Sequence, residues 1–231
     1  MKDADGPAAC GRFRYSSVVG MLLYLSGHTH QDIAYAVNCC ARYMFCPKHS
    51  YETALKRIGR YLKATWNRGL ILDPCAESCK LDCYPDADFS GMYGRGLPTD
   101  PDCVKSRTGF FITSAYCPVY WASKLQTTTA LLTMESYINT LARSCRELFP
   151  IIDITISLGK SVGLPIGYTT MSVSIHEDNT EALILAKTLP PQFTPSSKYY
   201  ASNTIWFREE INTRGIKLFK IDNFEQLGLS N

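Results

Sequence analysis

Lys80-Leu81-Asp82-Cys83-Tyr84-Pro85-Asp86-Ala87-Asp88-Phe89-Ser90-Gly91 is the stretch on which the reading of the fold turns. Residues 80–84 alternate in character, the period-two signature of a strand with two unlike faces. Asp86 and Asp88 are expected just past the end of that strand. An aspartate in such a place is most often a turn former or a cap. The pair therefore takes its meaning from what surrounds it.

Toward the C-terminus, Thr108-Gly109-Phe110-Phe111-Ile112-Thr113 is β-branched and aromatic, and Pro118-Val119-Tyr120-Trp121 follows after a short turn, so two further strands are expected. The intervening 91–103 is rich in Gly and Pro and reads as a loop. A helix is predicted from about Thr133 through Leu148, with Pro150 kinking it or ending its first part. Then come a strand over Val173–His176, a short helix over Asn179–Lys187 and a break at Pro190, Pro191 and Pro195. A helix around Ser202–Asn212 and a strand over Ile216–Ile221 close the chain. That order suits a mixed sheet with helices packed on it.

Toward the N-terminus the texture is helical. Residues 1–14 are small or polar and read as a disordered leader. Ser16 and Ser17 suit the start of a helix over Val18–Leu25, Asp32 the start of a second reaching about Tyr43, and Ser50 the start of a third. In the third, Leu55, Ile58 and Leu62 recur at helical spacing, while Lys56, Arg60 and Lys63 share another face. A solvated charged face and a phosphate-contacting stripe both fit that pattern.

Of the 231 residues, 45% are hydrophobic and 19% charged, enough to bury a real core. A net charge of +3 is too mild to announce nucleic acid by itself. No apolar run is long enough for a membrane span, and the first residues lack a signal peptide's apolar core. An intracellular place, cytoplasm or virus-like particle, is expected rather than secretion. The ten cysteines are read as free thiols. Cys75, Cys79 and Cys83 lack the tight pairs of a structural zinc site. Apart from His28-x-His30 the histidines form no ligand pair, and there is neither a phosphate-cradling glycine motif nor a nucleophile elbow.

Two more acids stand at element ends: Glu135 in the first turn of the long helix and Asp178 after the Val173–His176 strand. A helix-start glutamate usually serves the dipole. Carboxylates gathered at one sheet edge are also hard oxygen ligands for Mg²⁺. Two such ions about 4 Å apart activate water and stabilise the leaving oxygen in phosphodiester hydrolysis.

The ordered motifs carry a resemblance. Tyr15-Ser16-Ser17-Val18-Val19-Gly20-Met21-Leu22-Leu23-Tyr24-Leu25, Gln31-Asp32-Ile33-Ala34-Tyr35-Ala36-Val37 and Ala54-Leu55-Lys56-Arg57-Ile58-Gly59-Arg60-Tyr61-Leu62 resemble the end of a copia-type retrotransposon reverse transcriptase. Asp86-Ala87-Asp88-Phe89-Ser90-Gly91 is similar to the first catalytic aspartate motif of that family's ribonuclease H. Lys105-Ser106-Arg107-Thr108-Gly109, Trp121-Ala122-Ser123-Lys124-Leu125-Gln126 and Glu177-Asp178-Asn179-Thr180-Glu181-Ala182 follow in the family's order.

The resemblance implies an α/β fold, a ribonuclease H-like mixed five-stranded sheet with flanking helices over 73–231. A small helical segment over 15–72, the reverse transcriptase remnant, would precede it. Asp86, Glu135 and Asp178 would be the catalytic, metal-binding carboxylates, with Mg²⁺ as the ion and Mn²⁺ as an alternative. Asp88 would be a neighbour of the site. Asn179, Lys124 and Gln126 would contact the nucleic-acid backbone, beside the Lys56, Arg60 and Lys63 stripe. The partner would be an RNA–DNA hybrid cut in its RNA strand, within a larger polyprotein and away from any membrane.

The chain also departs from the pattern. Tyr137 stands where the family carries a second glutamate, and Lys198-Tyr199 replaces Lys-His. Leu229 follows Glu225-Gln226-Leu227-Gly228, where a fourth catalytic aspartate is expected. The polymerase palm is absent, so polymerase activity is not expected. A silent hybrid-binding module and a decayed element fragment remain open beside a working nuclease.

Overall fold

The computed structural model describes residues 3, 6–74, 79–91, 93, 101–187 and 198–221, side chains excepted at 101 and 198–205. Cys75, the Pro190–Pro195 break, the Lys198-Tyr199 side chains and the 225–231 segment lie outside these. The chain divides into two compact units. One is built on Met1–Ile71 with Met92–Val104 and Ala122–Lys124; the other takes Leu72–Gly91, Lys105–Trp121 and Leu125–Asn231.

The first unit holds α1 (Tyr15–His28), α2 (Ala34–Ala41) and α3 (His49–Ala64). Tyr15, Val19, Val37, Leu55 and Ile58 form its core, each at a position that helical periodicity turns inward. The Tyr15 hydroxyl, taken into that core, donates to the Cys40 carbonyl at 2.9 Å. No side-chain hydrogen bond caps the start of α1, and Ser50 hydrogen-bonds Asp3 rather than capping α3. The residues ahead of α1 run beside the start of α3. Ala8 bridges Lys48, and the His49 N–H donates to the Pro7 carbonyl at 3.0 Å.

The second unit carries one sheet and three helices: β1 (Lys80–Asp88), β2 (Arg107–Ser114), β3 (Cys117–Leu125), α4 (Thr133–Ser161), β4 (Ser172–Glu177), α5 (Thr180–Lys187), α6 (Lys198–Thr213) and β5 (Lys217–Lys220). The strand order is β3-β2-β1-β4-β5, with β2 antiparallel to β1 and β4 parallel to both β1 and β5. This is the mixed five-stranded sheet with flanking helices that the sequence pattern predicts. Ala115 and Tyr116 join β2 to β3 with φ of 48° and 68°, the left-handed pair that a two-residue hairpin requires.

Leu81, Cys83, Val173 and Ile175 point from the central strands toward a buried stripe of α4. That stripe, Ile138, Leu141, Cys145, Leu148 and Ile152, recurs every three or four residues along one helix face. Two expectations need correction. The first strand does not end at Tyr84 but continues through Pro85 to Asp88, because β2 pairs with it the whole way to Arg107. Proline is tolerated there because Pro85 lies beyond Cys83, the last β1 residue paired with β4. Pro150 does not end α4 either. Its ring is exposed, and the helix absorbs one missing N–H within a run of 29 residues.

Candidate active site at the ends of β1 and β4

The parallel pairing of β1 with β4 last matches Cys83 with Ile175. Three residues past that pair stand Asp86, still in β1, and Asp178, the first residue after β4, and the Asp178 charge acts on Asp86. Their electrostatics agree. Asp86 is exposed near the end of β1, and its carboxyl is pushed above its ordinary value by partial loss of water, then by the charges of Asp178 and Asp88. Burial likewise pushes Asp178 up. The Glu177 side chain, the N–H groups of Asp178 and Asn179, and the Tyr137 hydroxyl act against that rise.

Glu177 is the residue that the motif reading passed over. Strand alternation turns it inward with Val173 and Ile175, and it is 0% exposed. Burial pushes its carboxyl up to about 9; the Asn179 N–H, 3.2 Å from Oε1, works the other way, while Asp178 and Asp86 add to the rise. Glu177 therefore holds a proton at neutral pH. As a pair of carboxylates, Glu177 Oε2 and Asp178 Oδ1 would be buried with no donor among the described residues. The proton on Glu177 supplies one, and the two side chains are within hydrogen-bonding reach.

Tyr137 completes the group from α4. Its phenol is pushed up by burial, then by the charges of Asp178, Asp86 and Glu177, which stand near it. Glu135 takes a different position. Its Oε2 accepts the N–H of Leu131 at 2.7 Å, tying down the loop that leads into α4. The charges that act on Asp86 come from Asp178 and Asp88, and Glu135 is not among them. The structure thus sets the charges of Asp86 and Asp178 near each other and engages Glu135 with the Leu131 N–H.

The other candidates separate clearly. Asn179 spends Oδ1 on the Ala182 N–H at 2.8 Å, which makes it the cap of α5. Gln126 was expected at a nucleic-acid surface but is 8% exposed, its amide donating to Thr108, the Ser136 carbonyl and Thr140. A buried amide that has spent its donors on the interior holds β2 to α4 and cannot face a ligand. Lys124 is exposed at the end of β3. On α3, Arg60 and Lys63 are exposed, while Lys56 reaches back to Glu52 at 3.7 Å and lies over the Phe13 ring.

Several known proteins are similar to this chain. The Pol polyprotein of transposon RE1 from Arabidopsis thaliana, described as retrovirus-related, is 29% identical over 213 residues, which is 92% of this chain and 13% of that protein. The chain is similar to retrovirus-related Pol polyproteins of plant transposons. It spans about an eighth of that relative's length. A protein of Plasmopara viticola named secreted RxLR effector protein 161 is 33% identical over 133 residues, covering 58% of this chain and 87% of that one. A solved ribonuclease H1 isolated from compost aligns with a TM-score of 0.41 and 14% identity, over 63% of this chain and 86% of its own. No family model matches.

Asp86 and Asp178, which the resemblance marks as motif residues, are the two whose charges lie close together. Two residues after Glu135, where the resemblance implies a second glutamate, α4 carries Tyr137. Position alone could have flagged Tyr137, since it stands where family members carry glutamate. Among the described residues, no helix is long and apolar enough to cross a membrane.

Proposed function

We propose that the chain is a ribonuclease H-like hydrolase that cleaves the RNA strand of RNA–DNA hybrids with a divalent metal ion, within a larger polyprotein. In this reading residues 73–231 form the hydrolase, 15–72 the end of the reverse transcriptase and 1–14 its leader. The observation that carries the proposal is the juxtaposition of Asp86 and Asp178, each raised by its surroundings. Two crowded carboxylates of this kind suit Mg²⁺, which takes one or two carboxylates and keeps several waters. When bound, such an ion supplies an activated water and stabilises the leaving oxygen.

The chain's own groups do the rest. Asp86 and Asp178 hold the cation. Tyr137 stands near the Asp178 carboxylate and shifts its pKa, and Glu177 keeps a proton that limits the summed charge at the site. A catalytically silent hybrid-binding module is the second reading. It is favoured by Glu135, whose carboxylate serves Leu131 rather than the site.

The two readings differ in one assay. RNA labelled in a hybrid is incubated with the chain in Mg²⁺ or Mn²⁺, beside the same RNA single-stranded. Release from the hybrid alone, abolished by Asp86→Asn, supports the hydrolase. Hybrid binding without release supports the silent module.

A further inference from the structure

A second cluster of ligand-type side chains lies in the helical unit, among residues that the hydrolase reading does not use. We propose that Cys10, His49 and Glu52 bind a zinc-class divalent cation that fastens the leader to the start of α3. One ligand atom from each of the three lies within 4.8 Å of the other two. The Cys10 Sγ is 2.7 Å from Glu52 Oε2, and His49 Nδ1 is 3.8 Å from the same oxygen.

Local structure explains the convergence. His49 and Glu52 are one turn apart at the beginning of α3, hence on one face. The leader is drawn across that face by the Ala8–Lys48 bridge and by Ala9 and His49 backbone bonds to Pro47 and Pro7. Its Cys10 N–H then also donates to Glu52 Oε2 at 3.0 Å.

The second observation is Glu52 itself. It is 1% exposed; its Oε2 faces Cys10 and His49, and its Oε1, with no hydrogen-bond donor among the described residues, is paired with the Lys56 ammonium only at 3.7 Å. A buried carboxylate oxygen without a donor is costly unless a cation or a proton serves it. Thiolate, imidazole and carboxylate are the ligand types of zinc, and three protein ligands leave one position for water. On binding, the Cys10 thiol gives its proton to solvent and the sulfur becomes a metal-bound thiolate. Thiolate and carboxylate charges then offset the ion. Softness of the sulfur selects zinc or its neighbours over Mg²⁺.

The test is Co²⁺ titration of the reduced, full-length chain, followed by thiolate-to-cobalt charge-transfer absorption. One equivalent should bind with that band, and Zn²⁺ should displace it. Cys10→Ser and His49→Gln change exposed side chains and should leave the circular dichroism intact. Each should weaken cobalt binding by at least the roughly tenfold lost when even a supporting partner of a metal ligand is removed. Absence of the band in the native chain, or an unchanged band in either variant, overturns the site. A loss of the band in Glu52→Gln with folding retained adds support.

Discussion

The Tyr137 phenol, carried by the first turns of α4, stands close enough to the Asp178 carboxylate just beyond β4 that each shifts the other's pKa. A donor on a charged acceptor contributes about 1.5–3 kcal/mol. Tyr137→Phe should therefore raise the Asp178 pKa further and weaken metal binding at mildly acidic pH. Carboxyl NMR titration of Asp178 checks this, and an unchanged titration would show that the hydroxyl does not act on that carboxylate. Tyr137→Glu places a third carboxylate beside the pair and should tighten Mg²⁺ binding in calorimetry.

Glu177 gives the fold a pH dependence of defined sign. Its folded value, about 9, lies above the ordinary carboxyl value of 4.5. A raised carboxyl contributes stability that is fully present below 4.5 and is lost as pH rises through 9. Asp86 and Asp178 are raised as well and act in the same direction. Glu177→Gln should match the native melting temperature near pH 5 and exceed it increasingly toward pH 9. Parallel melting curves across that range would contradict the buried proton.

Gln126 is expected to matter for stability and not for binding. Its amide serves three buried acceptors at 3.0–3.2 Å. Gln126→Leu leaves them short of a donor, which costs about 1–3 kcal/mol for each group left unsatisfied. Denaturant unfolding should show that loss with hybrid affinity unchanged. A fall in affinity at constant stability would return Gln126 to a contact surface.

On α3, Lys56 is engaged by Glu52 and Phe13 while Arg60 and Lys63 are exposed. If the stripe meets phosphate, each freed cation contributes about 0.9 to the slope of log affinity against log salt. The double substitution Arg60→Ala with Lys63→Ala should flatten the slope by about two such contributions. Lys56→Ala should change it little. A slope indifferent to all three makes the stripe a solvated helix face.

Much of the fold was legible because its signals are local. Alternation marked the strands, and the Leu55–Ile58–Leu62 spacing marked α3. What escaped depended on neighbours. The extension of β1 through Pro85 is decided by β2 on one side and by the end of pairing with β4 on the other. Asp86 and Asp178 were legible as motif residues, but their adjacency comes from a parallel register between strands far apart in sequence. Glu135 was misleading because a helix-start carboxylate can serve a backbone N–H of the entry loop as readily as a cation. Glu177 carried the right signal, an acid at an inward strand position, but only the packing of α4 shows what burial does to it.

The most direct test of the Asp86–Asp178 centre is Mn²⁺ binding, read from the loss of the free-ion resonance in paramagnetic spectra. A Cys10→Ser background removes the contribution of the other cluster. Asp86→Asn and Asp178→Asn should each weaken Mn²⁺ by at least about tenfold, as expected for loss of a ligand, while Glu135→Gln leaves the affinity unchanged. Native affinity in both aspartate variants, or a loss confined to Glu135→Gln, would contradict the proposed centre.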